Sequence, residues 1–239
     1  MSLKIALLPG DGIGPEVTEQ AVRILKNVAE HSGKTFSFST HSIGGAAIDS
    51  EGAGLPHSTL EACLNADAVL LGAVGHPKFD GRLPAERPEA ALLALRQALG
   101  GFANLRPAIC YPPLARRTAF QPERVRGANL LIIRELLGGL YYGEPRGFEA
   151  SGNTAFNTLI YSRHEIERVA KVAFERARER KKKVASIDKA NVLETSRLWR
   201  AVVSEIGKNY PDVELEHVYV DTAAMRLATS SRNGLMSWS

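Results

Sequence analysis

The side chains that could do chemistry begin in one short stretch, PEAALLALRQAL (Pro88–Leu99). Glu89, Leu92, Leu93 and Arg96 stand at i, i+3, i+4 and i+7, so a helix puts all four on one face. An acid and a guanidinium flanking two leucines would suit a small ligand with a branched apolar group and a carboxylate. The same spacing fits an ordinary amphipathic helix, with the leucines in the core and the charges reaching water, and that is the commoner case.

Two more arginines lie in apolar strand-like runs: Arg106 in NLRPA and Arg134 in IIRELLGG. An arginine in a strand that otherwise reads as buried needs a partner. Three such arginines suit a substrate with two carboxylates, because guanidinium pairs with them bidentately. Internal ion pairing, for instance Arg134 with Glu135, accounts for them equally well. Tyr141 follows Gly138 and Gly139, and Lys189 follows Asp188 at the end of VASIDKANV. Strand ends are where α/β folds place reactive side chains, and tyrosine and lysine can exchange protons when their surroundings shift them. Asp221, in YVDTAAM, ends another strand and could give one oxygen to a hard cation such as Mg²⁺, although a metal site needs more ligands. The six histidines show no paired ligand spacing.

These residues need a scaffold, and the sequence opens with one: KIALLPGDGIGPEV reads as a strand (Lys4–Leu8), a glycine turn and a helix. Gly10 and Gly12 fit the first two positions of the dinucleotide fingerprint G-x-G-x-x-G, but Pro15 takes the third, with Gly14 one place early. Pro15 suits a first helical turn. Val17, Ala21, Ile24, Leu25 and Val28 recur at helical spacing until Gly33 stops the helix. FSF (Phe36–Phe38) alternates like a strand, Ser58 caps a short helix through Ala66, and AVLLG (Ala68–Gly72) is a buried strand. From Ala103 strand-like segments crowd together: ANLRPAIC, NLLIIRE, GLYYGE and AFNTLIYS. Ser162 and Glu165 make a capping box for a helix burying Ile166, Val169, Ala170, Ala173, Phe174 and Ala177. KVASID (Lys183–Asp188) is a strand, Leu198 to Ile206 a helix, and VELEHVYVD the last strand. The order predicts an α/β protein, largely parallel in its first half, with a boundary near residue 100.

With 239 residues, 44% apolar and 23% charged, the chain can build a sizeable core. No run of ~20 apolar residues predicts a membrane span, and no basic-then-apolar leader is visible, so a cytoplasmic location is expected. Cys63 and Cys110 are expected to be reduced and mostly buried. The net charge of +4 owes much to RARERKKK (Arg176–Lys183). That run closes a helix, where cations suit the dipole, and carries no interleaved aromatics, so nucleic acid is not an expected partner.

Seven segments occur in order: LLPGDGIGPEV, LLGAVGHPKFD, RPEAALLALR, FANLRPA, IIRELLGGLYYGEPRG, DKANVLETSRLWR and VDTAAM. Together they resemble the isocitrate/isopropylmalate dehydrogenase family of β-hydroxyacid oxidative decarboxylases, from Lys4 to about Leu227. The resemblance implies a two-domain α/β/α sandwich. Residues 1–100 would be the N-terminal part of the first domain, 101–227 the second domain with a dimer arm around Tyr141–Tyr161, and 228–239 a tail outside the family pattern. It implies NAD-dependent oxidative decarboxylation of 3-isopropylmalate in leucine biosynthesis, with Mg²⁺ or Mn²⁺ and a homodimer. Homoisocitrate and tartrate or malate enzymes of the same class, or an inactive fragment, are the alternatives. Arg96, Arg106 and Arg134 would clamp the substrate carboxylates, and Glu89, Leu92, Leu93 and Val192 would shape the isopropyl pocket. Tyr141 and Lys189 would move protons, with Lys189 and the metal ligand Asp221 serving from the second subunit. Gly75, His76, Pro77, Lys78, Phe79 and Asp80 would lie beside the nicotinamide.

The resemblance also carries departures. His76 and Phe79 stand where the family more often has glycine and tryptophan, and Thr222 where it more often has asparagine. Family members are longer, with an acidic stretch bearing two further metal carboxylates and glycine-rich loops for the adenosine half of NAD. A shortened chain is therefore expected, with an exposed apolar edge on its first sheet, a weak metal site and reduced activity.

Overall fold

A computed structural model of the chain describes residues 2–229 and 237–238. The chain divides into two compact units, residues 1–100 and 101–239. Among the described residues no helix is long and apolar enough to cross a membrane.

In the first unit β1 (Ser2–Gly10) leads into α1 (Gly14–Ser32), β2 (Thr35–Thr40), α2 (Gly45–Glu51), α3 (His57–Leu64), β3 (Ala68–Ala73) and α4 (Pro88–Ala98). The three strands form one parallel sheet in the order β2-β1-β3. Ala6, Leu8, Ile43, Cys63, Ala91 and Leu95 make its core. The turn after β1 resolves the misfit in the fingerprint. A Cβ on Gly14 would lie 2.0 Å from the Pro9 carbonyl oxygen and 2.8 Å from the Ala73 nitrogen. Gly14 thus provides the close helix–strand approach one place early, and Pro15 can sit in the first turn.

One local expectation for this unit is corrected. Ser58 does not cap α3: the helix begins at His57 behind Pro56, with no side-chain cap. Helix α1 ends at Gly33 as its spacing predicts, but Val17, Ile24 and Val28 are exposed and only Gly14 and Thr18 are fully covered.

The second unit runs β4 (Ala103–Ile109), α5 (Pro122–Val125), β5 (Asn129–Glu135), β6 (Gly147–Phe148), β7 (Ala155–Phe156), α6 (Arg163–Arg178), β8 (Lys183–Asp188), α7 (Glu194–Gly207), β9 (Glu214–Tyr219), α8 (Val220–Thr229) and β10 (Ser237–Trp238). Its main sheet has the order β4-β5-β10-β8-β9, antiparallel only at β4. Pro107 is tolerated because β4 is an edge strand. Helices α6 and α7 bury Ile166, Val169, Phe174, Trp199, Val202 and Val203 against Ile133 and Val184.

The capping box forms as expected: the Ser162 hydroxyl accepts from the Glu165 N–H at 3.3 Å, and the Glu165 carboxylate accepts from the Ser162 N–H at 2.7 Å. Three strand expectations are corrected. GLYYGE is not extended but contains a 3₁₀ turn, Gly139–Tyr141, because Gly139 takes φ +78°. AFNTLIYS contributes only the two residues of β7, paired with β6. VELEHVYVD is not the last strand: β9 stops at Tyr219, which puts Asp221 in the first turn of α8, and β10 follows. Most of the tail expected to lie outside the family pattern, residues 230–236 and 239, lies outside the described residues. Cys63 is buried and Cys110 only half-buried; both are free thiols.

Candidate active site

The antiparallel register of β4 and β5 sets two of the arginines. Asn104 faces Arg134 directly and Arg106 faces Ile132. Residues 104 and 106 share a side of their strand, so Arg106 and Arg134 are diagonal neighbours on one face. Both are exposed, which corrects the reading of arginines inside buried strands. The strand pattern misleads because the core takes the other side of β5, at Leu131, Ile133 and Glu135. Arg106 donates from Nε to the Asn104 side chain. Among the described residues, no ion pair involves Arg96, Arg106 or Arg134.

Glu135 does not pair with Arg134. Its buried carboxylate accepts from Arg168 Nη2 at 2.9 Å and from the N–H groups of Leu137 at 3.2 Å and Gly138 at 2.7 Å. This fastens the turn that leads into Tyr141. There the Arg134 guanidinium carbon lies 5.2 Å from the centre of the Tyr141 ring, a cation–π contact. Tyr141 is about half exposed, at 52%.

At the far end of the same sheet Lys189 and Asp221 meet. Lys189 Nζ donates to Asp221 Oδ1 at 2.9 Å. That hydrogen bond is the leading cause holding the Asp221 carboxyl below the ordinary carboxylate range. Lys189 is fixed by its backbone too: its N–H donates to Ser196 Oγ at 3.1 Å, and its carbonyl accepts from Val192 and Leu193 at 3.0 Å each. The Val192 side chain is exposed beside it.

In the first unit, α4 buries Pro88, Ala91 and Leu95. Leu92, Leu93 and Arg96 are only half-buried and Glu89 is exposed, so this face is not the core face of the helix. The segment before α4 is anchored by Phe79, a buried ring with Lys78 Nζ 4.8 Å and the Arg82 guanidinium 4.9 Å from its centre. Lys78 also pairs with Asp49. Phe79 therefore holds the loop in place, while His76, Pro77 and Asp80 present its open side. Gly75 takes φ +123° and gives its N–H to Asp11.

Only Arg134 of the expected site residues lines the cavity of about 290 Å³ between β5, β8 and α7, with Ile132, Glu135, Asp188, Ser196 and Trp199. Among the described residues no three His, Cys, Asp or Glu side chains converge on a point that could hold a metal. Asp221 alone is one oxygen ligand where a hard divalent cation takes about six. These residues do not make a metal site. Sequence reasoning gives no role to Asp11 or Arg200 and names Glu135 only as a partner for Arg134; in the structure Asp11 and Glu135 accept backbone N–H groups of the site loops and Arg200 pairs with Asp188.

The family described as isocitrate/isopropylmalate dehydrogenase matches residues 4–235, eight residues beyond Leu227. The 3-isopropylmalate dehydrogenase of Nitratidesulfovibrio vulgaris is 54% identical over 230 residues, 95% of this chain and 64% of that protein. That of Geobacillus kaustophilus is 53% identical over 226 residues, 94% of this chain and 61% of that protein. The crystal structure of isocitrate dehydrogenase from Methylococcus capsulatus superposes with a TM-score of 0.82 at 33% identity, covering 97% of this chain and 65% of that one. A β-decarboxylating dehydrogenase from Thermococcus kodakarensis gives 0.74 at 30% identity, over 99% and 63% of the two chains. This chain thus spans about 64% of the length of the first of these relatives. With a family match over nearly its whole length, the chain belongs to the isocitrate/isopropylmalate dehydrogenase family.

Proposed function

We propose that the chain carries the carboxylate-binding and proton-transfer groups for the NAD-dependent oxidative decarboxylation of 3-isopropylmalate. The observation that carries this is the β4–β5 face, where Arg106 and Arg134 stand together, make no ion pair among the described residues, and adjoin the exposed ring of Tyr141. Two guanidiniums on one face suit a dicarboxylate. The names of the relatives supply the substrate class.

In this reading Arg106 and Arg134 hold carboxylate oxygens, and Arg96 offers α4 the same chemistry. Leu92 and Leu93 of α4 favour an isopropyl group over a third carboxylate. An apolar wall leaves a carboxylate unpaired and costs its desolvation. Lys189, oriented by Asp221, takes the proton of the C2 hydroxyl, and Tyr141 returns one to the carbon that loses CO₂. NAD, when bound, supplies the hydride acceptor, and the open side of the loop at His76, Pro77 and Asp80 is the part of this chain that would meet it. The family implies a divalent metal. A homodimer, with Lys189 and Asp221 serving the partner's site, belongs to the same proposal. So does the domain division at residues 100 and 227.

The test is calorimetric titration of the 239-residue chain with 3-isopropylmalate, isocitrate and tartrate, followed by NADH formation in the same samples. The expected result is tightest binding of 3-isopropylmalate, loss of it in Arg134→Ala, and a narrowed preference in Leu92→Ser. Equal affinity for all three acids, or binding untouched by Arg134→Ala, overturns the proposal.

A further inference from the structure

The apolar layer of the second unit's main sheet runs past β5 and out along β4. Leu105 stands opposite Ile133 and Pro107 opposite Leu131, so the odd-numbered residues of β4 share the core face of the sheet. The cover stops short of them: residues 105–109 are all exposed, Leu105 at 42% and Ile109 at 45%. The backbone is open as well. At the two ends of the ladder the Leu136 N–H donates to the Phe102 carbonyl and the Cys110 N–H to the Ala128 carbonyl, each at 2.9 Å. Both bonds continue the register, so the even positions of β4 bond to β5 and the odd positions turn their backbone groups away from it. β4 is the edge strand, and among the described residues no hydrogen bond meets the backbone of Leu105, Pro107 or Ile109. Proline fits position 107 because the donor it lacks would point outward.

We propose that the free edge of β4 docks an extended acidic segment of another protein, which adds a strand to the sheet. A strand laid there turns alternate side chains to the two faces. On the core face they meet Leu105 and Ile109, and on the other they meet Arg106. Charge sets the sign of the partner. From Leu105 to Gly127 the chain carries five arginines, at 106, 116, 117, 124 and 126, all exposed, and a single acid, Glu123. Among the described residues none of the five is in an ion pair. Proteins blunt bare edges with proline and cations, and Pro107 and Arg106 do this against a second copy of the chain. Two β4 strands paired about Pro107 set proline against proline, with no donor on either side, and bring Arg106 toward its copy. An acidic segment can donate to the Pro107 carbonyl and finds in Arg106 a counter-charge. Protection alone does not account for exposed Leu105, Ile109, Tyr111, Leu114 and Phe120, which make the edge and the turn after it an apolar surface.

The experiment is fluorescence anisotropy of the full chain with three labelled synthetic peptides of equal length. One alternates valine and glutamate, one valine and lysine, and one proline and glutamate. The third carries the acidic charge of the first but cannot donate to an edge. The valine–glutamate peptide is expected to bind about ten-fold tighter than either of the others, and to weaken as salt is added. Ile109→Pro removes one outward N–H and no bond to β5, as Pro107 already does, and should weaken the peptide about five-fold or more where Ile109→Val does not. Arg116→Gln combined with Arg117→Gln should weaken it too and flatten the salt dependence. If Ile109→Pro fails to fold, Leu105→Glu is the variant to read: it changes only an exposed side chain and should repel the acidic peptide while its circular dichroism stays that of the wild type. Equal binding of the lysine or proline peptide, or an affinity untouched in folded Ile109→Pro or in Leu105→Glu, overturns the proposal. So does a dimer in sedimentation that Leu105→Glu dissociates, because a second copy then holds the edge. Tighter binding of a thymidine oligonucleotide, unaffected by Ile109→Pro, overturns it in favour of a phosphate backbone on the arginines. The substrate reading stands or falls separately, by the calorimetric titration.

Discussion

The Asp11 carboxylate accepts a hydrogen bond from the backbone N–H of Gly75 at 2.8 Å, across 64 residues of chain. It also accepts from the N–H groups of Gly45 at 2.9 Å and Ala46 at 2.7 Å, the first turn of α2. One buried side chain in the glycine turn thus ties the exit of β1, the start of α2 and the loop before α4. Replacing it with alanine leaves three donors without their acceptor, and charge-assisted bonds are the stronger kind. Asp11→Ala is expected to cost the first unit about 3 kcal/mol or more, by urea denaturation. Amide exchange across Gly75–Arg87 should quicken in the same variant. Unchanged exchange there would mean that the loop is held by Phe79 alone.

Gly75 itself is the next test. Its φ of +123° lies where side chains are strained, and an added Cβ would approach Glu89 Oε1 at 2.8 Å. The two causes can be separated, because the Glu89 carboxylate is the free end of a flexible side chain and can swing aside. Gly75→Ala is expected to cost about 1–3 kcal/mol from the backbone alone. Adding Glu89→Ala should recover little of it. Full recovery in the double variant would place the cost in the contact rather than in the backbone.

What the sequence disclosed follows the range of each interaction. The box at Ser162 and Glu165, the bounds of β8 and the proline start of α4 are settled within a few residues, and local chemistry suffices to read them. The glycine turn was half legible: the misfit at Pro15 was visible, but that Gly14 faces the Pro9 carbonyl and Ala73 needed the sheet. Arg106 and Arg134 could be singled out by type, while their common face depends on a register that no periodicity encodes. Asp11, Asp188 and Arg200 act through partners up to 64 residues away, so nothing near them in sequence marks the role. On α1 the helical spacing marks the helix itself, while Val17, Ile24 and Val28 stay exposed, so periodicity alone does not settle burial.

Glu135 anchors the second unit as Asp11 does the first. Its carboxylate is buried, faces Arg168 at 2.9 Å, and receives two backbone N–H groups from the turn before Tyr141. Removing one member of a buried pair leaves the other charged and uncompensated, which costs about 3–5 kcal/mol. Arg168 keeps some water contact and stacks on Phe102 at 4.8 Å, so the lower end of that range is expected for Glu135→Ala. Glu135→Gln should cost less, because it still accepts from the turn. The distinguishing readout is fluorescence or exchange at Tyr141 and Tyr142, which should loosen in Glu135→Ala before the unit melts. A variant as stable as the wild type would show that the turn is held without it.

His217 gives the second unit a pH dependence whose sign can be worked out. Ser204 Oγ donates its proton to the Arg200 carbonyl at 2.7 Å, so it accepts from His217 Nε2–H at 2.8 Å. The ring is then the Nε2–H tautomer, and Nδ1 is buried with no partner among the described residues. Protonating Nδ1 would bury a donor with nothing to receive it. Burial is the leading cause that lowers the His217 pKa below its ordinary value; the Arg200 guanidinium lowers it further, and Asp188 opposes both. A group whose folded pKa is lowered in this way binds its proton first in the unfolded chain. The stability tied to neutral His217 is present above the unfolded pKa of about 6.5, and is lost as pH falls from there through the folded value. Urea denaturation from about pH 7.5 to about pH 5.5 should show stability falling, ahead of the range where carboxylates titrate. His217→Phe should flatten the profile over that interval while leaving the acid limb below it. A profile as steep in His217→Phe as in the wild type would assign the pH dependence to other groups.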